Sequence, residues 1–328
     1  TAPFTYLGRM ALWPLRFDPR GLLLTAAAVP LAAFAHHRIG GLSMEAARRR
    51  TVLIGQLRFA VTQQDLRTVL VLRRQLANEV MRRQPWLPSL PRRAADAWPV
   101  FARGLQSFGR WPAIRIARVG SLGIVIGLAL RGVWSGTTPL VIVAGVAAYV
   151  AALDAIEPLA QDLDRPTRLT SYPRPRGWVL VRHLAAPTLA MLAVGVVALL
   201  TAFVVDPAGQ VVRLGAIELL PGALAAVAAA AVSVVSEPIL DSAAEAMIPP
   251  EVAGPRALLR VAWPPALAVG GMLPVVAARH AAETATDTTA ALASAGVAVV
   301  ALAAVVAGWV RFRDDIHAAL RPKDVRAS

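Results

Sequence analysis

The sequence predicts an all-α, polytopic integral membrane protein, on three observations. Long apolar stretches recur nearly free of charge, arginine-rich loops separate them, and the arginines fall on alternate loops. About 20 apolar residues rising 1.5 Å each cross a hydrocarbon core about 30 Å thick. Residues 184–205, 217–236, 261–278 and 290–310 meet that length. Of the 328 residues 56% are hydrophobic, and the mean hydropathy of +0.56 lies above that of soluble domains.

Composition also narrows the chemistry. With no cysteine, a disulfide scaffold, a thiolate metal site and a cysteine nucleophile are excluded. The formal charge of +14 rests on 33 arginines and a single lysine, Lys323. In a membrane chain that excess faces an anionic leaflet, so lipid headgroups are the expected partner and nucleic acid is not.

The elements follow in chain order. Residues 1–36 begin as an interfacial segment, with Tyr6, Trp13 and Phe17 among Arg9, Arg16 and Arg20. A short first span or re-entrant helix follows over 21–34, interrupted by Pro30. The opening at Thr1, with no basic, apolar and small-residue leader pattern, predicts further residues upstream. Residues 37–118 carry 16 arginines against Glu45, Asp65, Glu79 and Asp96, and read as basic, cytosolic amphipathic helices. Within 43–81 apolar residues recur at helical spacing (Leu53, Leu57, Val61; then Leu66, Val69, Leu70, Leu76, Val80), until Pro85, Pro88 and Pro91 end the run. A further short helix is expected over 94–110, with Trp98 and Trp111 as interface anchors.

Residues 119–156 read as a transmembrane hairpin with a very short outer turn. Its Gly123-x-x-x-Gly127 motif lets a neighbouring helix approach closely, and Arg131 near the tip snorkels outward. Residues 157–216 form the first copy of a helix-pair repeat, 217–310 the second copy and the last spans, and 311–328 a basic cytosolic tail. Six or seven spans result. With the hairpin tip outside, residues 157–183, 237–260 and the tail share the inner side, with Arg165, Arg168, Arg174, Arg176, Arg182, Arg256, Arg260, Arg311, Arg313 and Arg321. The loops about 206–216 and 279–289 hold only Arg213 and Arg279. Positive charge thus stays inside, as in a multi-pass protein of a bacterial plasma membrane.

The repeat is carried by two inner loops. The first runs from Glu157-Pro158 to Arg182, and the second from Glu237-Pro238 to Arg260. Proline disfavours helical geometry in the residue before it, so each Glu-Pro marks a helix break at the inner interface. Glu157, Pro158 and Arg182, with Glu237, Pro238 and Arg260, are the candidate coupling and gating residues; an interfacial ion pair with no further role is the plainer alternative. Repeated helical pairs are a frequent plan of transporters.

No Walker A loop, His-Glu-x-x-His or Gly-x-Ser-x-Gly occurs, so no catalytic residue, cofactor or metal site is predicted on this chain. No acid is expected near the centre of a span, which argues against a proton-coupled carrier. One enzymatic alternative is an Mg²⁺-dependent intramembrane prenyl or phospho-group transferase. It would use acids at the inner surface, Asp162, Asp164, Asp241 and Glu245. Paired Asp-x-x-x-Asp motifs mark such transferases, and only Asp241-x-x-x-Glu245 comes near that pattern. A non-transporting membrane scaffold or assembly subunit is the other alternative.

The segments 55–60 (Gly-Gln-Leu-Arg-Phe-Ala), 64–69 (Gln-Asp-Leu-Arg-Thr-Val), 72–76 (Leu-Arg-Arg-Gln-Leu) and 157–164 (Glu-Pro-Leu-Ala-Gln-Asp-Leu-Asp) carry a family likeness. Over most of residues 40–265 the chain resembles the membrane subunit of an ABC-2-type exporter of actinobacterial character. The resemblance implies a permease that pairs with a second permease chain, alike or different, and docks a separate ATPase. ATP and Mg²⁺ would then sit on that partner. It makes Leu57, Phe59, Asp65, Arg67, Arg73 and Arg74 the candidate docking residues, together with the two Glu-Pro loops. The basic insert before the central hairpin is longer than such permeases usually carry.

Overall fold

The computed structural model describes residues 33, 48, 51–56, 58–59, 84–86, 91–163, 167, 169, 172–207, 209–236 and 262–320. The chain divides into two compact units, Thr1–Val80 and Met81–Ser328. In the first, the described residues 51–56 and 58–59 are helical, and Phe59 is exposed. All that follows concerns the second.

Every regular element among the described residues is a helix. Two short helices come first, α1 (Arg92–Ala97) and α2 (Pro99–Gly109), where one was expected. Pro99 suits the first turn of α2, since an N–H there has no helical acceptor. Next come α3 (Ala113–Trp134) and α4 (Leu140–Ala155), joined by a turn in which Gly136 takes φ +121°. After Ile156 the chain bends by 53° into α5 (Glu157–Leu163). Then follow α6 (Arg176–His183), α7 (Ala185–Val205), α8 (Gly209–Val235), a helical run over 262–270, α9 (Leu273–Glu283) and α10 (Thr288–Leu320).

Four stretches among the described residues are long and apolar enough to cross a membrane: Ala113–Trp134, Arg176–Val205, Gly209–Val235 and Thr288–Ile316. The bent pair of α4 and α5 makes a fifth if taken as one span. This is fewer than the six or seven expected. Of residues 21–34 only residue 33 is described. The apolar run 261–278 is not one helix: residues 262–270 turn at Gly271 and Met272 before α9 begins.

The bundle is built around α8. Two thirds of its apolar window (67%) is buried, against 28% for α3 and 22% for α6–α7 and for α10. The outer helices instead present Ile124, Leu128, Val143, Leu200, Val204, Val297 and Val305 outward. Apolar faces of this extent fit a lipid solvent and a multi-pass membrane protein. Alanine and valine fill the centre, with Ala226, Ala230 and Val235 of α8 against Ala144, Ala148 and Ala151 of α4 in one cluster. Small side chains let helix axes approach where lipid supplies no hydrophobic drive. At Gly127 an added Cβ would collide with the Ala198 carbonyl oxygen of α7, and at Gly123 it would lie 3.1 Å from Val194 O. The Gly-x-x-x-Gly motif is therefore a packing seam between α3 and α7.

The expected topology places loops of one sign together, and the same loops meet in space. At one end Arg131 pairs with Asp206, while Arg279 donates to Thr138 Oγ1 at 2.9 Å and Val133 O at 3.1 Å. At the other end Arg115 donates to Asp154 O at 2.7 Å, and Arg118 pairs with the Asp154 carboxylate.

Candidate functional site

A cavity of about 120 Å³ opens inside the bundle, where α3, α4, α7, α8, α9 and α10 converge. Its wall is apolar, with Ile126, Leu130, Met191, Val194, Leu214, Leu219, Met272, Val275 and Leu292 among the lining residues. Two ionisable residues reach it, Arg131 and Glu218. Glu218 stands roughly a third of the way along α8, which at 1.5 Å per residue is about 14 Å in from Gly209. It is only 6% exposed, and neither carboxylate oxygen has a hydrogen-bond partner among the described residues. Arg131 is anchored through Nη2 to Asp206, while its Nε and Nη1 are buried without a hydrogen-bond partner.

No acid was expected near the centre of a span; Glu218 is a buried acid a third of the way along α8. The polar look of 206–216, with Gln210 and Arg213, suggested a loop and put Glu218 at a span's edge. The helix instead begins at Gly209 and carries the carboxyl into the bundle. The signal that could have found it is one acid inside the run Ile217-Glu-Leu-Leu220.

The predicted coupling residues of the first repeat copy gather at the other end. Glu157 and Pro158 are buried in the first turn of α5, and Gln161 Nε2 donates to Glu157 Oε1 at 3.2 Å. The Glu-Pro pair thus marks a helix break, as expected, but opens a new helix directly. Arg182 does not close on the glutamate: among the described residues no ion pair joins them. Its guanidinium lies 3.6 Å from the Trp178 ring centroid and 5.2 Å from that of Trp98, a cation–π arrangement. Trp98 is half exposed, as an anchor in the headgroup layer would be. Trp111 packs edge-on to Phe108 at 4.9 Å and stacks under Arg115 at 4.6 Å.

Asp162 is buried in α5, with His183 Nε2 3.0 Å and Arg103 Nη1 3.5 Å from its Oδ2. The histidine contact is close enough for an ion pair yet off the line of a hydrogen bond. Asp162 thus faces two nitrogen groups of its own chain, a poor start for an Mg²⁺ site. Among the described residues no group of three metal-binding side chains occurs. Asp164, Glu237, Pro238, Asp241, Glu245 and Arg260 lie outside the described residues, as do Leu57, Asp65, Arg67, Arg73 and Arg74.

Comparison with protein-family models, curated proteins and solved structures finds no match to this chain.

Proposed function

We propose that this chain is the permease of a bacterial transport complex, a multi-pass subunit of the plasma membrane whose bundle forms part of a translocation pathway. The observation that carries it is the cavity inside the helical bundle with Glu218 in its wall. Ionisable groups are costly inside a bilayer and cluster on substrate and ion pathways. The energy source comes from the sequence resemblance: a separate ATPase holding ATP and Mg²⁺, docked to a pair of permease chains. Glu157 and Pro158 suit a coupling role, because α5 packs on α8, the helix that carries Glu218. A force on the inner loop therefore has a path along α8 to the cavity.

Mild-detergent purification of the native protein, with an ATP hydrolysis assay on the eluate, tests this. A stoichiometric nucleotide-binding partner with hydrolysis above background is expected, and Glu157→Gln with Glu237→Gln is expected to slow flux and hydrolysis together. A complex without an ATPase and without nucleotide-driven flux would leave a membrane scaffold instead.

Glu218 also favours a second reading, an ion-coupled carrier, since acids within spans serve proton relays. That carrier would move substrate in vesicles holding this chain alone, under an imposed proton gradient and without nucleotide.

A further inference from the structure

We propose that the cavity is a binding site for a small apolar cation, held by the carboxylate of Glu218. A carboxyl group withdrawn from water either takes up a proton or finds a partner of opposite charge. The other charged group in the wall, Arg131, pairs with Asp206 through Nη2 alone, and its Nε and Nη1 are buried without a hydrogen-bond partner among the described residues. Glu218 has no such match among the described residues. Gly222 keeps the space over the carboxyl open, since a Cβ there would sit 3.4 Å from Oε1.

The rest of the wall sets the ligand's body. Met191 and Met272 supply polarisable, adaptable surface, and Trp134 offers a ring that attracts cations. A dry apolar cavity of about 150 Å³ takes up a benzene molecule. A cavity of about 120 Å³ therefore fits a cation no larger than benzene, with an apolar body and a single charge. A hydrated metal ion would waste the apolar wall. Calling the cation a substrate rests on the transport assignment above; the binding site does not.

Two small probes of similar size and opposite charge test it on the purified full chain in detergent: tetramethylammonium and methanesulfonate, titrated by calorimetry. The expected result is binding of the cation at least tenfold tighter than the anion. Glu218→Gln should remove that preference, and Glu218→Asp should keep it. Equal affinity for both probes, tighter binding of the anion, no binding of the cation, or a folded Glu218→Gln protein with unchanged affinity would each overturn the site. Should Glu218→Gln fail to fold, the comparison of the two probes on the unaltered protein still decides. A chain that binds the cation but carries no flux in vesicles keeps the site and loses the transport assignment. Flux with no cation binding does the reverse.

Discussion

Two buried acids of this chain meet opposite fates. Asp162 sits against His183 and Arg103 at the arginine-rich end of the bundle, whereas neither oxygen of Glu218 has a hydrogen-bond partner among the described residues. The first arrangement is structural. Arg103 is half exposed and can turn to solvent when its acid is lost, but His183 is 2% exposed and cannot. Asp162→Ala is therefore expected to cost about 1–3 kcal/mol, since it removes a buried polar contact and leaves a void beside His183. Asp162→Asn keeps an acceptor in place and should cost about half as much. Denaturant unfolding in detergent, followed by tryptophan fluorescence, reads both. Equal stability of all three proteins would mean that this cluster holds nothing together.

At the scale of the helices, glycine makes a sharper test, because one helix carries both kinds. Gly120 and Gly127 lie on α3, yet a Cβ at Gly120 would meet nothing within 4 Å while one at Gly127 would strike the Ala198 carbonyl. Gly120→Ala should stabilise the protein by about 0.5–1 kcal/mol through helix propensity. Gly127→Ala should destabilise it by about 1–3 kcal/mol through overpacking against α7. Thermal melting of the two variants in the same detergent gives the signs, and matching signs would remove the seam. The Gly-x-x-x-Gly spacing was legible before any coordinates, as were α3, α4, α7, α8 and α10, because apolar length alone marks them. Three features were hidden from that kind of pattern. Apolar length alone joins 261–278 into one span and passes over the turn signal of Gly270-Gly271 with Pro274. Polar residues at the start of α8 look like a loop, which displaced Glu218 to a span's edge. The charge spacing of Glu157 and Arg182 implied an ion pair, but tryptophan faces at Trp98 and Trp178 compete for the guanidinium, and only tertiary packing reveals them.

For the whole molecule the decisive property is sidedness. The contacts that group Arg131, Asp206, Thr138 and Arg279 at one end, and Arg115, Arg118 and Asp154 at the other, agree with loops alternating across a bilayer. They do not say which end faces the cytosol. That comes from the arginines, which favour the inner side because the anionic leaflet and the membrane potential both hold them there. The lack of native cysteine makes the matter directly measurable, since each introduced cysteine is the only thiol in the chain. Thr137 lies exposed in the α3–α4 turn, and Arg174 lies exposed just before α6, on the arginine-rich side. In intact cells a membrane-impermeant maleimide should label Thr137→Cys at once and spare Arg174→Cys until the membrane is opened. The reverse pattern would turn the protein over, and with it place the Glu157–Pro158 helix, Asp162 and the Arg182 stack on the side where no ATPase could reach them. Labelling of both sites from outside would show that α3 to α6 do not cross the membrane as drawn, and the cavity around Glu218 would then no longer be an intramembrane site.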